Sequence, residues 1–257
     1  MFNPILITTP RTGSSVVCHY LAQIAKQTAN YQNNLTEYFD KAPWNNLHYR
    51  VFKHFGKNII GLCTDEKILS LKDYSGDITK DLKMKFELIK NNQYRYMIKL
   101  IPYDYSDDII DWCMSNYSPI YLERKNKLAQ LFSFMAMLTT KTSHYDNSSN
   151  SSIKKIHFNF KALYVFDKIQ SQYRHLKTKY PGPVLIYEDL FDEEFTANIL
   201  VKRLNIDNVD LSLIEKHITR KTIYESCNWD DLVTNTAEYK NNKVAIDTML
   251  EKWKSVY

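Results

Sequence analysis

Short apolar runs alternate along the chain with apolar stripes at helical spacing. Ile5, Leu6 and Ile7, continued by Thr8 and Thr9 and stopped at Pro10, predict a buried strand. Residues 11–15 (RTGSS) read as a turn, and Val16, Val17, Tyr20, Leu21 and Ile24 then share one side of a helical wheel. The opening pattern is strand, tight loop, amphipathic helix. Residues 28–47 are polar and Asn-rich and predict no element. Residues 94–101 (YRYMIKLI) and 119–122 (PIYL) predict further buried strands; between them Ser106 or Asp107 caps a helix carrying Ile109, Ile110, Trp112, Cys113 and Met114.

Residues 126–138 predict a helix with Leu128, Leu131, Phe132, Met135 and Leu138 as its apolar stripe and Asn126, Gln130 and Ser133 on the opposite face. Residues 139–152 (TTKTSHYDNSSNSS) have loop composition. A helix over 160–179, a turn at Pro181-Gly182-Pro183, a strand over 184–187 (VLIY) and helical patterns over 192–204 and 230–253 complete the chain. Strands separated by helices, with few hairpin signals, predict an α/β fold: a single domain, 1–257, with a central mostly parallel sheet flanked by helices.

At 257 residues such a fold needs no disulfide or metal to hold it together. The four cysteines are far apart in sequence and show no metal-ligand spacing, so reduced thiols are expected. No stretch has the ~18 apolar residues of a membrane span, and no leader pattern precedes the first strand, so the expectation is a cytoplasmic protein. The 34 Lys and Arg outnumber the 29 Asp and Glu by five. That excess suits small anionic ligands and is too weak for nucleic-acid binding.

The loop after the first strand of an α/β sheet is where backbone N–H groups and a helix N-terminus converge on phosphates. Here it predicts a P-loop-like nucleotide-binding topology. Arg11 offers a fork of donors, Gly13 permits close backbone approach, and Thr12, Ser14 and Ser15 add hydroxyls. The loop is not a Walker A sequence, which needs a second Gly and a Lys before the hydroxyl residue. A plain surface turn is the alternative. The strand over 119–122 delivers Arg124 to its carboxyl end, with Gln130 and Ser133 on the following helix. Taken alone, Arg124 and Lys125 read as solvated and Ser133 as lying on an exposed helix face.

Together these segments resemble the sulfotransferase family, most closely its bacterial trehalose 2-sulfotransferase-like branch. TTPRTGSS (8–15) is similar to the family's 5′-phosphosulfate loop, RKNKLAQLFS (124–133) to its 3′-phosphate motif, LTEYF (35–39) to the segment carrying the branch's catalytic carboxylate, and YEDL (187–190) to a strand end of structural role. The resemblance implies 3′-phosphoadenosine 5′-phosphosulfate (PAPS) as co-substrate, with no metal. It places the 5′-phosphate on Arg11, Thr12, Gly13, Ser14 and Ser15, and the 3′-phosphate on Arg124 and Ser133. Arg11 would stabilise the charge growing on the leaving group, and Glu37 would take the proton of a hydroxyl acceptor.

His19, His48 and His54 compete with Glu37 as bases, and Lys99, ending a predicted central strand, is either a further anion contact or solvated. Arg220 and Lys221 read as a solvated face, the alternative being that they precede a C-terminal segment closing over the nucleotide. Residues 40–90 diverge from the branch, which leaves the acceptor open; a carbohydrate or glycolipid is favoured, and a homodimer is compatible with the resemblance. Two other classes remain: a non-catalytic PAP- or PAPS-binding protein, and a nucleotide or small-molecule kinase using Mg·ATP.

Overall fold

The first strand, β1 (Pro4–Thr8), is buried along its whole length, as expected of a strand covered on both faces. The computed structural model describes residues 4–28, 59–63, 97–102, 107–140, 156–191, 196–214 and 229–254. After β1 come α1 (Ser14–Thr28), β2 (Ile59–Cys63), β3 (Met97–Ile101), α2 (Asp107–Asn116) and β4 (Ser118–Glu123). Next are α3 (Lys127–Thr140), α4 (Phe160–Lys179), β5 (Val184–Ile186) and the short α5 (Tyr187–Phe191). The helices α6 (Ala197–Leu204), α7 (Trp229–Leu232), α8 (Thr236–Asn241) and α9 (Lys243–Lys252) follow.

The strands form one sheet in the order β2-β3-β1-β4-β5. β3, β1, β4 and β5 are mutually parallel, with Leu6 of β1 opposite Lys99 on one side and Ile120 on the other. β2 pairs antiparallel with β3, an edge strand that the sequence pattern did not predict. The fold is therefore mixed α/β, with a mostly parallel sheet flanked by helices.

Side-chain alternation along β1 divides the packing. Leu6 joins Val17, Cys18, Leu21 and Ile24 of α1 and Leu200 of α6 on one face. Ile5 and Ile7 join Ile110 and Cys113 of α2 and Tyr173 and Leu176 of α4 on the other. Burial pushes the Cys113 thiol up to about 12, so it stays protonated as an apolar filler. A third cluster packs α3 and α4 against Ile246, Met249 and Trp253 near the C-terminus.

Three local devices set the chain's path. Asn159 caps α4 by accepting from the backbone N–H groups of Lys161 and Ala162. Beyond α4, Gly182 passes so close to β4 that a Cβ there would lie 2.4 Å from the Pro119 carbonyl oxygen. The run predicted as strand over 184–187 turns helical at Tyr187, where Glu188 and Asp189 occupy the first turn of α5.

The strands β1 and β4 lie side by side, and the chain runs on from β1 to the β3 side of the sheet and from β4 to the β5 side. α1 covers the Leu6 face, whereas α4, reached through α3, packs on the Ile5 face. The carboxyl ends of these two strands thus flank a topological switch point, the crevice where open α/β sheets bind ligands. Among the described residues no helix is long and apolar enough to cross a membrane.

Candidate functional site

Two chain segments meet at that crevice: Thr9–Gly13 after β1, and Arg124–Asn126 leading into α3. The first takes an unusual backbone path. Arg11 has φ +66° and Gly13 φ +71°, so left-handed residues alternate across Thr12. Such alternation curls successive peptide N–H groups toward one side in an anion-binding concavity. At Gly13 the constraint is also spatial, because a Cβ would lie 2.9 Å from the Phe191 ring and 3.0 Å from that of Tyr187. The two rings stack 4.7 Å apart and floor the loop.

Buried donors hold the loop's carbonyls one after another. The Thr12 hydroxyl donates to the Thr9 carbonyl at 3.0 Å and shares a 2.5 Å contact with the Thr8 hydroxyl. Gln130 of α3 donates to the Pro10 carbonyl at 2.6 Å and to the Thr9 hydroxyl at 2.7 Å. Arg124 Nη1 donates to the Arg11 carbonyl at 3.1 Å. In a trans peptide the C=O and the following N–H point in opposite directions. The N–H groups of Arg11 and Thr12 therefore face away from Gln130 and Arg124.

Arg124 sits at the end of β4 and is completely buried. Its guanidinium lies 4.7 Å from the Tyr187 ring centroid, and its Nε is 3.9 Å from the Glu188 carboxylate. Glu188 in turn accepts from the backbone N–H groups of Lys125 and Asn126 at 2.8 and 2.9 Å. Asn126 accepts from the Ala129 N–H and so closes the first turn of α3. The YEDL segment thus braces the second half of the site, in line with the structural role expected of it.

Ser133 is brought to the same place. Its hydroxyl oxygen accepts from Arg11 Nε at 2.9 Å, so Arg11 and Ser133, 122 residues apart, are in direct contact. The stand-alone reading of a solvated Arg124 and of Ser133 on an exposed helix face fails, since both are buried, whereas Lys125 is exposed as expected. The reason lies in α3. Residues 129–137 are all buried, with the Gln130 and Ser133 side against the loop and the apolar side in the core, whereas Leu138 of the predicted stripe is 46% exposed.

Lys99 is likewise not solvated. It sits within β3 in register with Leu6, is 1% exposed, and its amine is pushed down to about 8 by burial, with Cys18 acting in the opposite sense. Lys127, in the first turn of α3, is also pushed down to about 8 by burial; the Glu123 and Glu188 carboxylates oppose this, and Arg174 and Lys177 add to it. Two cations are thus retained inside the elements that carry the site, where their charge is poorly screened.

No protein-family model, curated protein or solved structure matches the chain. The site's chemistry rests on its own geometry.

Of the residues expected to form a site, Arg11, Thr12, Gly13, Ser14, Arg124 and Ser133 come together, with Ser14 and Ser15 in the first turn of α1. His19 lies on α1 one turn further on. Glu37, His48, His54, Arg220 and Lys221 lie outside the described residues. The arrangement combines a helix N-terminus, inward-held carbonyls and two guanidinium groups, features that favour a phosphate- or sulfate-bearing ligand.

Proposed function

We propose that the protein is a PAPS-dependent sulfotransferase, moving a sulfuryl group from PAPS to a hydroxyl acceptor, with a carbohydrate or glycolipid favoured. The observation that carries this reading is the loop after β1. Its carbonyls are held by Thr12, Gln130 and Arg124, and the bonds from Gln130 and Arg124 turn the Arg11 and Thr12 N–H groups to the opposite side, next to the start of α1 in the chain. The resulting P-loop-like cradle has Gly13 just before the hydroxyl residue, where an ATP-hydrolysing loop has its lysine, and its basic residue is Arg11.

In this reading Thr12, Gly13, Ser14 and Ser15 hold the 5′-phosphate, and Arg124 with Ser133 supplies the 3′-phosphate side. Arg11 stabilises charge on the departing 3′-phosphoadenosine 5′-phosphate (PAP). The acceptor oxygen attacks sulfur in line, its proton passes to Glu37, and the bond from sulfur to the bridging oxygen breaks. Such transfer relies on positioning and charge stabilisation. The reaction as written uses no metal.

Calorimetry with PAP, set against Mg·ATP, tests the nucleotide, and transfer of labelled sulfate from PAPS tests the reaction. PAP binding with no response to Mg·ATP is expected. Binding of Mg·ATP alone would replace this reading with a kinase, and PAP binding without transfer to any acceptor would leave a nucleotide-binding protein.

A further inference from the structure

Gln130 holds two points of the cradle with a single side-chain amide. Both of its N–H bonds are committed, one to the Thr9 hydroxyl at 2.7 Å and one to the Pro10 carbonyl at 2.6 Å. A primary amide can rotate by half a turn at almost no steric cost, and the rotated form would set its oxygen against the Pro10 carbonyl oxygen. The observed orientation avoids that repulsion and leaves the oxygen to accept from a donor on its other side. That donor is Gln170 of α4, whose Nε2 lies 3.4 Å from Gln130 Oε1. Gln170 is 2% exposed, a polar residue on the helix face that otherwise buries Phe166, Ile169 and Tyr173. A polar group in such a place is costly unless it is hydrogen-bonded, so its presence calls for a partner, and Gln130 is one.

We infer that Gln170 is a positioning residue: by donating to Gln130 it fixes the amide that holds Thr9 and Pro10, and so sets the anion cradle at Arg11–Ser14 from a helix that does not line it. The consequence for nucleotide binding rests on the reading above; the relay itself does not.

The test uses the full chain, with Gln170→Met, which keeps volume and removes the donor, and Gln170→Glu, which puts an acceptor in its place. In ¹H–¹⁵N spectra the Gln130 side-chain amide pair, assigned by its loss in Gln130→Met, should shift in both Gln170 variants. PAP affinity measured by calorimetry should fall about 3- to 10-fold in Gln170→Met and further in Gln170→Glu, the range expected for one lost neutral hydrogen bond. Adding Gln170→Met to Gln130→Met should cost no further affinity. An unmoved Gln130 amide signal would overturn the relay whether or not PAP binds. With a wild type that binds PAP, independent losses in the two single variants would overturn it as well. Failure of the wild type to bind PAP would sink the nucleotide reading, while the amide spectra would still decide the relay.

Discussion

Arg124 Nη1 donates to the carbonyl of Arg11 at 3.1 Å, so one basic residue of the site holds the backbone of the other. The loop depends on Arg124 for its shape as well as its charge. Arg124→Met should leave the Arg11 carbonyl without this donor and remove the contact with Tyr187. The expected loss is about 2 to 3 kcal/mol of stability and at least about 10-fold in PAP affinity. Arg124→Lys should restore little, because an ammonium cannot stack on the ring and reach the carbonyl in the same geometry. Urea denaturation and calorimetry read the two effects; full rescue by Lys would show that charge alone suffices.

Gly13 is constrained by both backbone and space. Gly13→Ala places a methyl group against the Phe191 ring in a left-handed conformation, and should destabilise the chain by about 2 kcal/mol or more. In Gly13→Ala/Phe191→Leu the steric part should be relieved while the backbone part stays. Thermal melts of the two variants separate the terms, and equal losses would mean that the ring is not the obstacle.

The elements whose positions repeat at a clear period were legible in the sequence. The 160–179 prediction coincides with α4, and β1, α1 and β4 fall within a residue or two of expectation. β2 was not legible, because Ile59-Ile60-Gly61-Leu62-Cys63 is five residues long with a glycine at its centre, and its pairing with β3 joins segments about 40 residues apart. At the site, the sequence singled out Arg11, Arg124, Gln130 and Ser133, which the structure brings together, but local pattern alone read Arg124 as solvated and Ser133 as exposed. Side-chain polarity is written in the sequence; what packs over it is not. Arg124 is buried by Tyr187 and Glu188, more than 60 residues away, and Lys99 by α1, neither of which any local pattern announces.

Glu37 is the proposed base. Glu37→Gln should leave PAP affinity nearly unchanged and slow sulfuryl transfer by at least ~10²-fold. Rates with labelled PAPS check this. Wild-type turnover in the variant would move the role to a histidine or to the substrate itself.

Lys99 makes stability depend on pH in a defined direction. Its folded value of about 8 lies below the ordinary 10.5, so between those limits the unfolded chain binds the extra proton and stability rises with pH. Below pH 8 the charged amine is a constant cost on the order of 3 kcal/mol. Lys99→Met should therefore raise the urea midpoint at pH 7 and flatten its rise between pH 8 and 10, leaving the part due to Lys127. Parallel curves for variant and wild type would refute the assignment.

The left-handed backbone at Arg11 sets two selection pressures against each other. Only glycine adopts φ near +66° without penalty, so replacing this arginine by glycine should make the folded chain more robust while removing the guanidinium that meets Ser133. A randomised codon 11 sorted for heat resistance alone should drift toward glycine. The same library sorted for capture of PAP should return arginine, and the gap between the two outcomes would measure how much robustness the molecule gives up for its ligand.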